Sequence, residues 1–175
     1  MRRKRIAHNL YDSIVALSRS RVLYADIGLP DTVEGRFELL AFHLFACLDR
    51  LSRSGIETGH MAQDLVDIFF ADMDSTSRQL GVGDTAVPKK MRQLAAVFEE
   101  RMTLYREAAG KKHKDALAAA LAENIFGQTY EFVMQQGLTS YVCEFQKNLA
   151  ATPIAELEAG RIRAPGEAVV ANGRT

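Results

Sequence analysis

The chain has 175 residues, of which 47% are hydrophobic and 25% charged, the balance of a folded domain with a real core rather than of a disordered chain or a fibre. Lys plus Arg and Asp plus Glu each number 22, so the formal net charge is zero, which argues against a dedicated nucleic-acid binder and against DNA as a partner. No apolar run approaches the roughly 18 residues of a membrane span, and the first residues lack a signal-like apolar stretch and cleavage site, so a cytoplasmic protein is expected.

Charge is uneven along the chain: residues 1–28 carry six basic and two acidic side chains, and residues 29–88 carry four and ten. Arg2, Arg3, Lys4 and Arg5 precede a helix in which Ile6, Leu10, Ile14 and Leu17 recur at helical spacing, with Tyr11, Val15, Val22 and Tyr24 widening the apolar surface. Such a basic leader is either a solvated terminus or a contact for anionic lipid or RNA. Gly28 and Pro30 end this unit, and Asp31 with Glu34 makes a capping-box-like start for the next helix. Residues 37–48, FELLAFHLFACL, are apolar almost all round, the mark of a buried central helix. Its Glu38 and His43 then need partners, because a buried charge or donor left alone is costly, and His43 reads as a satisfied core histidine ahead of a ligand.

A polar linker at 52–59 leads to a third helix at about 58–80, with Leu65, Phe69, Asp72, Met73, Thr76 and Leu80 on one face. Gly81 stands where a left-handed C-terminal residue belongs, Gly83 loosens the link, and Pro88 fits the first turn of a fourth helix. That helix places Met91, Leu94, Ala95, Phe98, Met102 and Tyr105 on one face. A basic break at 110–114 precedes a short alanine-rich helix with Leu117, Leu121 and Ile125, stopped by Gly127. Tyr130, Val133, Met134, Leu138, Tyr141, Phe145 and Leu149 define a last long helix closed by Pro153, with one short turn beyond it. The expectation is an all-α, single-domain bundle of about six helices around the central one, spanning 1–163, with a flexible tail at 164–175. Cys47 and Cys143 fall in apolar helical patterns and read as small core side chains rather than a disulfide.

Chemistry is hard to find in this pattern. There is no nucleophile elbow, no phosphate-binding loop and no dinucleotide fingerprint, and the single Glu-x-x-His at Glu57 and His60 is too short a signal for a metal site. No catalytic residue, metal or cofactor is expected. Asp72 is the odd residue, a carboxylate on an apolar face; Arg36 is a candidate cation for an internal tie between helices. Asp74 and Arg78, four residues apart, read as a surface pair. Lys89 and Lys90 occupy a helix N-terminus, where the macrodipole disfavours positive charge, so they either bind a partner or pair across the hinge with Asp74 or Asp84.

Two blocks, GLPDTVEGRFELLAFHLF at 28–45 and FFADMDSTSRQLGVGDTAVPKKM at 69–91, resemble the ubiquinol cytochrome c reductase assembly chaperones, whose mitochondrial members bind newly made cytochrome b. The likeness runs over about 11–105 and suggests a compact bacterial relative. It implies an all-helical domain that binds cytochrome b and assists assembly of the reductase complex, with peripheral contact to the inner membrane or the ribosome. Positions of the family pattern present here are Asp31, Gly35, Arg36, His43, Asp72, Asp74, Arg78, Gly81, Gly83, Asp84, Pro88, Lys89 and Lys90. Among them Arg36, Asp74, Arg78, Asp84, Lys89 and Lys90 are assigned to partner binding; Asp31, His43 and Asp72, together with Glu38, are assigned to structural polar roles. The alternative is a helical bundle holding a quinone or other small apolar ligand. An enclosed apolar pocket would favour that alternative, and an open groove or an exposed apolar patch beside the lysines would favour the chaperone.

Overall fold

A computed structural model describes residues 2–54, 59–111, 113, 115–127 and 132–166. Within them the chain forms seven α-helices and one π-helical turn, with no strand. They are α1 (Arg2–Ser18), the π turn (Val22–Asp26), α2 (Val33–Ser52), α3 (Gly59–Gln79), α4 (Val87–Ala109), α5 (Ala116–Phe126), α6 (Phe132–Ala151) and α7 (Ile154–Glu158). The basic residues expected to precede the first helix lie inside it, because α1 begins at Arg2.

Helix α2 is the axis. Leu39, Ala41, Phe42 and Leu44 are fully inaccessible to solvent, and α1, α3, α4, α5 and α6 all pack on this one helix. The short α7 packs on α1 instead. The cap of α2 is Thr32 rather than Asp31: its Oγ1 accepts from the Gly35 amide at 3.0 Å, filling one of the orphan donors of the first turn. Asp31, one position earlier, is left to bind Arg36.

Rings knit the helices together. Phe42 meets Tyr105 of α4 edge-on at 6.0 Å and Phe145 of α6 at 6.0 Å. Phe69 of α3 stacks on Phe98 of α4 at 4.8 Å, which clamps these two helices below their hinge. Cys47 is buried and Cys143 half-buried.

One glycine is fixed by contact as well as by backbone. Gly160 has φ +75° at the end of α7, and a Cβ there would sit 2.8–2.9 Å from Asn9 of α1. The Ser13 hydroxyl donates to the Gly160 carbonyl, so α7 is pinned to α1 at a point where only glycine fits. The segment after α7 follows α6: Asn148 donates to the Ala164 carbonyl at 3.4 Å, Pro165 is buried, and the Gly166 amide donates to Glu144 at 3.1 Å. The first three residues of the expected tail are therefore held against α6, and 167–175 lie outside the described residues. Also outside them are Glu57 of the Glu-x-x-His pattern, Lys112, Lys114, Tyr130 and the side chain of Val133.

Candidate partner-binding site

The hinge between α3 and α4 is built as its sequence suggests. Gly81 has φ +84°; its amide donates to Arg78 at 3.0 Å, and the Val82 amide reaches back to Ser77 at 3.1 Å, the paired bonds of a Schellman ending. Arg78 holds the turn from outside. Its Nε donates to Asp74 at 2.8 Å, and its other arm donates to Asp84 beyond the turn. Hydrogen bonding to Asp74, then the nearby carboxylate charges, raises the Arg78 pKa further. Because Arg78 takes both aspartates, the cross-hinge pairing considered for the lysines does not form. Lys89 and Lys90 stand exposed in the first turn of α4, with no ion pair among the described residues. Leu80, expected at the end of the apolar face of α3, is instead 60% exposed where α3 gives way to the hinge.

Arg36 and Asp72 are not partners. Arg36 donates to Asp31 through Nε at 2.5 Å and through its second nitrogen at 3.0 Å, an exposed fork at the start of α2. The hydrogen bond from Arg36 lowers the Asp31 pKa. Asp72 accepts from the Tyr11 hydroxyl of α1 at 2.8 Å. It is half-buried at the edge of a cleft rather than sealed in the core, so it needs only one neutral donor and water, not a cation. Burial, then the Asp72 bond, pushes the Tyr11 hydroxyl pKa well up.

The buried polar pair of α2 is fully partnered. Arg101 of α4 lies 2.9 Å from both carboxylate oxygens of Glu38, Tyr105 donates to Glu38 at 3.3 Å, and Asn124 of α5 donates to Tyr105 at 3.3 Å. Burial still raises the Glu38 pKa, with Arg101 opposing. Sequence reading missed Arg101, although a signal was there: it sits three residues after Phe98 and four before Tyr105, on the apolar face of α4. His43 is the satisfied core histidine expected. Its Nδ1 lies 2.7 Å from the Leu39 carbonyl, which can only accept, so Nδ1 carries the proton and Nε2 accepts from the Tyr141 hydroxyl at 2.8 Å. Burial pushes its pKa down to about 4 and keeps it neutral.

Two clefts mark the α3 side, and both open to solvent. One of about 430 Å³ between α1 and α3 is lined by Asp12, Asp64, Asp67 and Asp72 over Tyr11, Ile68 and Ala71. Four carboxylates make it a poor receptacle for a quinone. The other, about 350 Å³ between α2, α3 and α4, has Phe45, Leu48, Val66, Phe98 and Met102 at its floor.

Residues 25–164 match the family model described as ubiquinol-cytochrome C chaperone. The chain belongs to this family. The match takes in the core helix, the hinge and the C-terminal helices, well past the two blocks visible by eye. Curated relatives include the ubiquinol-cytochrome c reductase complex assembly factor 1 of Mus musculus, 26% identical over 71% of this chain and 42% of that one. The corresponding factor of Xenopus laevis is 25% identical over 58% and 50%. The chain thus spans about half the length, or less, of the curated relatives it matches. The crystal structure of the Cbp3 homolog from Brucella abortus superposes with a TM-score of 0.81 at 34% identity, covering 94% of this chain and 91% of that one. The ubiquinol-cytochrome c chaperone domain here is therefore a close structural counterpart of that homolog, all-α throughout its described length.

Proposed function

We propose that the protein is an assembly chaperone that binds cytochrome b and assists biogenesis of the ubiquinol-cytochrome c reductase complex, acting by binding rather than by catalysis. The observation that carries this reading is the extent of the family match, which covers the core helix together with the hinge and its two unpaired lysines. The names of the relatives, reductase complex assembly factors, supply the pathway. In this reading Lys89 and Lys90 are required for capture of the client, and Asp74, Arg78 and Asp84 hold the hinge that presents them. Arg36 contributes from a separate place, the start of α2, in its fork with Asp31. The work is done on the cytoplasmic side, peripherally at the inner membrane where such a client emerges.

Capture of the tagged protein from its own host during a short pulse of labelled amino acids tests the reading. Newly made cytochrome b should be retained, and replacement of both lysines by glutamate should weaken its retention in a salt-dependent way. Recovery of ribosomal or unrelated proteins in its place would reject cytochrome b as the client.

A further inference from the structure

The hinge that joins α3 to α4 has the surface chemistry of a membrane-contacting tip. Leu80 is 60% exposed there, one of two large apolar side chains among the described residues that stand so far into solvent. In the same hinge and the first turns of α4, Ala86 and Pro88 are also exposed, and Lys89, Lys90 and Arg92 form a run of cations with no acidic partner among the described residues. The two acids of the hinge, Asp74 and Asp84, are both engaged by Arg78. Four positive and two negative side chains leave residues 74–92 with a net charge of +2, in a molecule whose total is zero. Three features thus coincide: uncompensated lysines, a protruding leucine, and a rigid base where Phe69 stacks on Phe98.

We propose that this tip docks on an anionic lipid surface, with Leu80 entering the headgroup boundary and Lys89, Lys90 and Arg92 contacting lipid phosphates. Apolar side chains ringed by lysine are the pattern of interfacial membrane contacts, and each basic residue near an anionic leaflet adds to the attraction. RNA fits less well, because residues 74–92 contain no aromatic side chain on which a base could stack. The inference deepens the function proposed above and rests on it only in expecting the client at a membrane. The basic first turn of α1 is a separate feature: Lys4 lines the cleft with Asp64 and Asp67 near the start of α3, whereas Leu80 follows the end of α3.

Flotation of the purified chain with phosphatidylcholine vesicles, with and without phosphatidylglycerol, tests the proposal without any client present. Binding should require the anionic lipid and fall with salt. Lys89→Glu with Lys90→Glu should weaken it by roughly 30-fold or more, and Leu80→Ser several-fold, while circular dichroism melts stay as in the wild type. Lys4→Glu with Arg5→Glu, at the other end of α3, should cost much less. Equal binding to neutral and anionic vesicles, or loss confined to the α1 variant, would overturn the proposal. So would hinge variants that float normally but no longer retain cytochrome b in cells, an outcome that leaves the chaperone function standing and assigns the tip to the client. A wild-type chain that floats with anionic vesicles as expected but retains no cytochrome b in cells would do the reverse, leaving the lipid contact standing and rejecting the client.

Discussion

Glu38 is the costliest side chain in the core, and Arg101 is what makes it tolerable. Removing one partner of a buried pair strands the other charge, so Arg101→Met should lower stability by about 3 to 5 kcal/mol, whereas Glu38→Gln with Arg101→Met together should recover much of the loss. Chemical denaturation of the two single variants and the double checks this; additive losses would show that the pair is not coupled. Asp72→Ala is expected to be mild. It removes one hydrogen bond from Tyr11 at an open cleft, about 1 kcal/mol, not the stranded charge that an Arg36 tie implied. His43 sets an acid limit. Its folded pKa, about 4, lies below the ordinary 6.5, so its contribution is complete above pH 6.5 and is lost as pH falls through 4. The loss should be on the order of 3 kcal/mol, partly opposed by Glu38, whose raised pKa favours folding at low pH. His43→Gln should be less stable at neutral pH yet flatter between pH 6.5 and 4; an unchanged slope would place the acid sensitivity elsewhere.

At the scale of helices, position in the bundle was written in periodicity. The all-round apolar run at 37–48 announced α2, and the glycine at 81 announced where α3 ends. Side-chain pairing between helices was not legible, because spacing along one helix says which face a residue occupies and nothing about what a distant segment brings to it. Glu38 and Asp72 each need a partner because they lie on apolar faces, and those partners, Arg101 and Tyr11, come from 63 and 61 residues away. Two glycines with similar backbones separate local strain from packing. Gly81 and Gly160 both have φ near +80°, but only Gly160 has no room for a methyl group. Gly81→Ala should cost about 1 kcal/mol, and Gly160→Ala distinctly more, because α7 must also lift from Asn9. Thermal melts of the two variants compare them directly; equal losses would mean that α7 yields freely.

For the molecule as a whole, the arrangement is a packed core that carries exposed lysines at the hinge between α3 and α4. The ring contacts of Phe42 and Phe69 hold α3 and α4 to α2, so the lysines are carried on a fixed support rather than on a mobile loop. The family was legible in two short blocks because the hinge residues are unusual in combination, whereas the C-terminal helices share the family through apolar patterning that many bundles have. The central claim concerns a cell, and deletion of the gene in its host tests it most directly. Spectroscopic quantification of membrane cytochromes should show cytochrome b and the assembled ubiquinol-cytochrome c reductase complex lost while other respiratory complexes persist, with restoration by the wild-type chain and weaker restoration by the double glutamate variant at Lys89 and Lys90. Normal levels of the complex in the deletion strain would contradict the account.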